Sequence, residues 1–329
     1  GISREDLEIR ITVNKDERII SVSDKGIGMT KEELESNLGT IARSGSRIFK
    51  DEMEKMDEID IIGQFGVGFY SAFMVADKVT VITRRHGSDE AWKWVSTGVD
   101  GYTVTQCEKD GNGTEVIMHI KEDTEEERYS VYLEQFTIQN LVKRYSDYIR
   151  YPIRMLMNRT RRVSDSSETE ARYEEYTEDL TLNSMVPLWQ RSKSEVSKEE
   201  LESFYQEKFM RADSPAATIN VSAEGSVTFK ALLFVPGEVP YDYYTTEYKR
   251  GLQLYSSGVM IMDSCEELVP EHFRFVKGVV DTQDVTLNIS RQTLQHDRQV
   301  KIIANNLEKK IRAELKKMMD NDREAYEKF

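Results

Sequence analysis

Two glycine clusters, each opening a helix, limit most tightly what this chain can fold into. The first is Asp24-Lys25-Gly26-Ile27-Gly28-Met29, which follows directly on a strand pattern through Ile20 and Val22. Thr30 and Glu33 then have capping-box spacing, and Leu34, Leu38 and Ile41 make an i, i+4, i+7 apolar stripe. These glycines therefore lie on a strand-to-helix turn. The second cluster, Gly63-Gln64-Phe65-Gly66-Val67-Gly68-Phe69, leads into a small-residue helix, Tyr70 to Val75. Glycine permits tight turns and close approach of a ligand to backbone N–H groups, which suits a phosphate. No Gly-Lys-Ser/Thr follows, so neither cluster is a P-loop, and the element order of a dinucleotide-binding fold is missing. Taken alone, G-x-x-G-x-G at Gly63, Gly66 and Gly68 is equally well a flexible loop packed under a helix.

The remaining pattern divides the chain. Leu7, Ile9, Ile11 and Val13 alternate as a strand, and Asn14-Lys15-Asp16-Glu17 turns it. A polar, lid-like stretch spans Ser44 to Asp60, and further strands are expected at 79–83 and 114–120. Seven acids fall between Asp165 and Asp179 with few large aliphatics, which reads as a solvated linker. Strands return at 218–222 and 227–235 and around Leu252 and Leu254. A long amphipathic helix with Val300, Ile303, Leu307, Ile311, Leu315 and Met318 closes the chain. The expected domains are 1–163, a linker at 164–180, and 181–329.

At 329 residues there is enough chain for two domains and a substantial core. A net charge of −14 argues against an electrostatic nucleic-acid binder, and no run of residues is apolar enough for a membrane span. Cys107 and Cys265 match no metal-ligand spacing, and they are expected to be packing residues in a reducing compartment. The four histidines are scattered, so no metal cluster is expected. No secretory signal pattern is present at the start, and the cytoplasm is the expected location. The sequence opens without Met inside a strand pattern and ends at Phe329 without a capping signal, so a fragment of a longer protein is expected.

Asp24 gives the glycines a chemistry. A carboxylate at the end of an apolar strand, two residues before G-x-G, can accept a hydrogen bond from a purine's exocyclic amine, although a helix-capping or turn aspartate is the commoner use. Asp24-x-Gly26-x-Gly28 followed by G-x-x-G-x-G is the arrangement of the ATPase superfamily shared by gyrase-type topoisomerases, MutL proteins, sensor histidine kinases and heat-shock chaperones, and Gly113-Thr114 fits its late threonine. The segments Asn37-Leu38-Gly39-Thr40-Ile41-Ala42-Arg43-Ser44-Gly45 and Ile62 to Ser71 closely resemble the heat-shock protein 90 family, in its bacterial rather than eukaryotic form. So do Val186-Pro187-Leu188-Trp189, Lys230 to Pro236 and Leu287-Asn288-Ile289-Ser290-Arg291.

The resemblance implies an α/β (α+β) fold: an incomplete two-layer GHKL, or Bergerat-type, ATP-binding sandwich followed by an αβ middle domain. It implies that Asp24 binds the adenine amine, with Gly28, Met29 and Thr114 lining the base pocket and Asn37 flanking the sugar and α-phosphate. Arg43 stands where the family usually has Lys. Ser44 and Gly45 would begin the lid, and the backbone of Gln64, Phe65, Gly66, Val67, Gly68 and Phe69 would cradle the phosphates. Arg291 would meet the γ-phosphate with Asn288 and Gln295 nearby, as a guanidinium fork suits charge on a transferred phosphoryl group. Lys25 and Gln292 depart from the family pattern, and Gln292 removes a charge beside the arginine.

The implied function is an ATP-dependent chaperone that binds ATP, ADP and Mg²⁺ and remodels client proteins, with no nucleic acid or membrane partner. The parent would be a homodimer and this chain a monomer. Trp189, Phe234 and the Tyr241 to Tyr244 cluster are candidates for client contact, against core packing. In the family, the general-base Glu and the Mg²⁺-binding Asn lie on a helix before the first strand. This chain alone is therefore expected to bind nucleotide weakly or not at all, and not to hydrolyse it. The alternatives are a MutL- or gyrase-type ATPase acting on DNA, and a non-catalytic protein-binding fragment.

Overall fold

The computed structural model describes residues 7–39, 68–98, 101–162, 173–192, 194–240, 242–246, 248–283 and 298–328. The chain divides into two compact units, Gly1–Met185 and Val186–Phe329. The lid stretch 44–60 and the expected site residues Arg43, Ser44, Gly45, Gln64, Phe65, Gly66, Val67, Asn288, Arg291 and Gln295 lie outside the described residues.

The first unit is built on a single eight-stranded sheet. Its strands are β1 (Ile9–Asn14), β2 (Ile19–Asp24), β3 (Ala76–Arg84), β4 (Ala91–Gly98), β5 (Gly101–Cys107), β6 (Gly113–Ile120), β7 (Ile153–Arg162) and β8 (Tyr173–Thr181). Their order is β5-β4-β3-β6-β2-β1-β7-β8, antiparallel throughout except for the β1–β7 pair. Alternate residues share a face, and Ile11, Ile20, Val79, Val81, Ile120 and Met155 are buried on one of them. Helices α1 (Lys31–Leu38), α2 (Ala72–Val75) and α3 (Gln135–Tyr145) cover that face with Leu34, Phe73, Ile138 and Val142. This is the expected α+β two-layer sandwich. The capping box forms as read: Glu33 N donates to Thr30 Oγ1 at 3.2 Å, and Thr30 N to the Glu33 carboxylate at 2.9 Å.

One expectation is corrected. Within the stretch 164–180, read as a solvated linker, residues 173–180 belong to β8, which pairs antiparallel with β7 along its length. Three of these acids stay exposed but are neutralised by arginines of β7. Arg154 meets Asp179 at 3.0 Å, Arg159 meets Glu178 at 3.1 Å, and Arg161 pairs with Glu174. Cross-strand neutralisation lets an acid-rich segment extend as a strand.

The second unit holds β9 (Ala217–Ala223), β10 (Phe229–Val235), β11 (Leu252–Ser256), β12 (Val259–Cys265) and β13 (Lys277–Thr282), in the order β12-β11-β13-β10-β9. Ala231, Leu233 and Val235 of β10 face the long helix α4 (Arg298–Asn321) and its stripe of Val300, Ile303, Leu307 and Ile311. Phe234, with the opposite parity on β10, packs against Tyr205 and Phe209 of helix α5 (Lys198–Phe209). Trp189 is buried, and its Nε1 donates to Asp281 Oδ2 at 2.9 Å. Trp189 and Phe234 are therefore core residues and not a client-facing surface, whereas Tyr244 is 87% exposed.

A buried carboxylate fixes the loop after α5. Asp213 accepts from Arg211 Nε at 2.6 Å, from the Tyr205 hydroxyl at 3.0 Å and from the Gly237 amide at 2.9 Å. Burial pushes its carboxyl up, but the hydrogen bonds from Arg211 and Tyr205 outweigh burial and hold it below the usual carboxylate range. A depressed carboxyl contributes stability above the unfolded-state pKa of about 3.9, and that contribution fades as pH falls through the native value. Asp213→Asn is expected to cost about 2 kcal/mol at neutral pH, the scale of hydrogen bonds to a charged group. Urea unfolding monitored on the second unit should show the gap from wild type narrowing below about pH 4.

Candidate nucleotide site

Three adjacent strands, β2, β6 and β3, end together at one edge of the helix-covered face. Asp24 shares the side of β2 that carries Ile20 and Val22, Thr114 the side of β6 that carries Val116 and Met118, and Thr83 the side of β3 that carries Val79 and Val81. Thr83 and Thr114 are direct partners across the β3–β6 ladder. Their hydroxyls lie 3.0 Å apart. Thr83 is fully buried, so its hydroxyl needs partners. Besides Thr114 it receives the Met29 amide at 2.9 Å and lies 3.3 Å from the Gly113 carbonyl. Thr83 thus locks the start of α1 to the floor of the site and orients Thr114. Sequence reading missed it, because a threonine in an alternating strand carries no signal beyond strand preference.

The turn from Asp24 to Met29 rises over this floor. Asp24 Oδ1 accepts the Gly26 amide at 2.7 Å, while Oδ2 has no hydrogen-bond partner among the described residues. A Cβ on Gly26 would stand 2.7 Å from that same Oδ1, so glycine keeps the carboxylate clear. Gly28 has φ +63°, and a Cβ there would lie 1.9 Å from the Arg84 carbonyl oxygen, so no other residue fits. The His86 amide donates to the Ile27 carbonyl at 2.7 Å, seating the turn on the end of β3. Lys25, the departure noted in the sequence, reaches Glu8 at 3.1 Å.

Of the expected site residues, the structure brings Asp24, Gly28, Met29 and Thr114 together. Asn37 sits two turns along α1, with its Nδ2 3.9 Å from the Met29 sulfur. Phe69 packs edge-on against Trp94, ring centroids 5.4 Å apart, beneath the same helix layer. At Gly68 a Cβ would meet nothing within 4 Å among the described residues, and φ is −58°, a value any residue adopts. Tyr70 donates to the Leu38 carbonyl at 2.8 Å, tying the end of α1 to the turn that begins at Phe69.

An unpartnered carboxylate oxygen beside an anchored hydroxyl suits a heteroaromatic ring edge that carries an amine donor and a ring acceptor, which is the edge adenine offers. Among the described residues no group of three or more His, Cys, Asp or Glu could hold a metal ion, so none is assigned to Mg²⁺. No helix among them is long and apolar enough to cross a membrane.

Comparison with known proteins agrees with this geometry. The profile described as histidine kinase-, DNA gyrase B- and HSP90-like ATPase matches residues 4–114, ending on the threonine of the site. The profile described as Hsp90 protein matches residues 131–179 and 168–329. The chain is 53% identical over 327 residues to the chaperone protein HtpG of Clostridium perfringens strain ATCC 13124, covering 99% of this chain and 52% of that protein. It is also 53% identical over 326 residues to the HtpG of Clostridium botulinum strain 657, with the same coverage. The chain thus spans about half the length of the curated relatives it matches. With the strand-end aspartate, the glycine turn and the threonine pair in place, and with the profile running through the second unit, the chain belongs to the heat-shock protein 90 family.

Proposed function

We propose that the first unit binds ATP and ADP, and that the chain is part of an ATP-dependent cytoplasmic chaperone that remodels client proteins. The observation that carries this is the free Asp24 Oδ2 beside a Thr114 hydroxyl anchored by buried Thr83. In this reading Asp24 accepts the adenine amine, Thr114 and the Met29 backbone frame the base, and Gly28 lets the turn close without a side chain. Asn37 flanks the sugar and α-phosphate. Gly68 and Phe69, with Gln64 to Val67 before them, offer backbone amides to the phosphates, while Arg43, Ser44 and Gly45 belong to the lid.

ATP, when bound with Mg²⁺, supplies the transferable phosphoryl group; the chain's own part is to orient it and exclude water. Arg291 is the proposed contact to the γ-phosphate, with Asn288 and Gln295 in support, a role resting on the Leu287 to Arg291 motif. A homodimeric parent acting on unfolded or partly folded clients, and not on nucleic acid, is part of the same proposal. The net charge of −14 supports the last point.

Titration of the chain with ADP and Mg²⁺ tests the reading. Weak saturable binding is expected, and Asp24→Asn should reduce it by roughly ten- to a hundred-fold, as loss of a hydrogen bond to a charged acceptor does. Equal affinity in wild type and variant, or no saturation in wild type, would overturn it. A phosphate-release assay on the same samples checks the expectation that this chain does not turn ATP over.

A further inference from the structure

The turn that carries Asp24 is held from outside by a residue the nucleotide reading does not use. Asn112 stands on the connection between β5 and β6, directly before Gly113 and Thr114. Its Nδ2 donates to the Gly26 carbonyl at 2.6 Å and to the Lys25 carbonyl at 3.2 Å. A carboxamide nitrogen has two hydrogens, so both are committed to consecutive carbonyls of this one turn. The peptide held in this way also presents the Gly26 amide, which fastens Asp24 Oδ1 at 2.7 Å. One carboxylate oxygen is therefore fixed and the other left free, and the bond that decides which is set by the position of the peptide under Asn112.

The far end of the turn is held by the His86 amide on the Ile27 carbonyl and by the Met29 amide on Thr83, but at Lys25 and Gly26 the side chain that binds the carbonyls, among the described residues, is Asn112. Asp24 and Lys25 are exposed and Gly26 has no side chain. The Lys25–Glu8 pair tethers the side chain of Lys25 and not the peptide. Glycine and half-exposed backbone otherwise leave such a turn free to rock.

We infer that Asn112 is a specificity-determining positioning residue. By pinning the Lys25 and Gly26 carbonyls it aims the free Asp24 oxygen, and so sets the preference for a purine bearing an exocyclic amine over one bearing an oxo group in its place. The inference rests on the reading of Asp24 as the acceptor for that amine. An amine meets the free oxygen as a donor, whereas an oxo group meets it as a second acceptor and is repelled. Loosening the turn weakens the first contact and relieves the second, so the two purines respond differently.

The test compares ADP with inosine diphosphate, in Mg²⁺, on wild type, Asn112→Ala, Asn112→Asp and Asp24→Asn. Asn112→Asp keeps size and removes the donor, so it serves where alanine disturbs the connection between β5 and β6; hydrogen exchange across β6 reports whether each variant keeps its fold. Wild type is expected to prefer ADP, and both Asn112 variants to lose about ten-fold in ADP affinity with inosine diphosphate changed by less than about two-fold. The preference should collapse in Asp24→Asn. If Asp24→Asn collapses it and the Asn112 variants keep it, or weaken both nucleotides equally, the inference is overturned and the reading of Asp24 stands. If Asp24→Asn leaves the preference unchanged, the reading of Asp24 falls and the inference with it.

Discussion

Gly113→Ala is expected to abolish nucleotide binding and to destabilise the first unit by about 3 kcal/mol or more, combining left-handed backbone strain of roughly 1–2 kcal/mol with overpacking of roughly 1–3 kcal/mol. Gly113 has φ +110°, and a Cβ there would lie 2.1 Å from the Asp24 carbonyl oxygen and 2.9 Å from the Lys25 Cα. Both obstacles are backbone, so no side-chain rotation relieves them. β6 must move away from the end of β2, which separates Thr114 from Asp24. Gly111→Ala is the control: its φ is also positive, +67°, but a Cβ there meets nothing within 4 Å among the described residues. It should cost about 1–2 kcal/mol and leave ADP affinity unchanged. Hydrogen exchange on β2 and β6, read beside the ADP titration, distinguishes the two variants. Equal behaviour would mean that close backbone approach is not what glycine provides at 113.

Phe234→Ala is expected to cost the second unit about 3–5 kcal/mol, the range for deleting a buried aromatic ring. Phe234 is fully buried on β10, between two paired strands, and its ring meets Tyr205 at 5.2 Å, Phe209 at 6.0 Å and Phe204 at 6.1 Å. These contacts join α5 to the sheet, so the cavity falls under that helix while the stripe of α4 on the other face keeps its partners. Amides of Lys198–Phe209 should exchange faster than those of Arg298–Asn321. Met210→Ala, at a side chain 93% exposed, should change stability by less than about 0.5 kcal/mol. A shift that small for Phe234→Ala would show the ring cluster to be incidental to the packing of α5.

What could be read in the sequence was local. The β1–β2 alternation, the Thr30–Glu33 cap and the stripe of the last helix each depend on residues within a turn or a strand of one another, and all formed. What could not be read depends on distant partners. An acidic run from Glu174 to Asp179 reads as a linker until the arginines of β7 pair with it and it extends as an exposed strand. Thr83 gains its role only when β6 places Thr114 beside it, and Asn112 only when the β5–β6 turn meets the Asp24 turn. Gly-Asn-Gly reads as a tight turn and nothing more. For Trp189 and Phe234 the sequence left a client-facing role open against core packing, and a five-stranded sheet with helices on both faces decides for the core.

The strand order bears on how such a chain is made. Of the eight strands of the sheet, β1 and β2 are made before the other six, yet they lie inside it, with β6 on one side and β7 on the other. Until residues 113–120 and 153–162 emerge, the hairpin lacks the two strands that flank it in the finished sheet. At ordinary elongation rates that wait is on the order of ten seconds, long against the microseconds a hairpin takes to close.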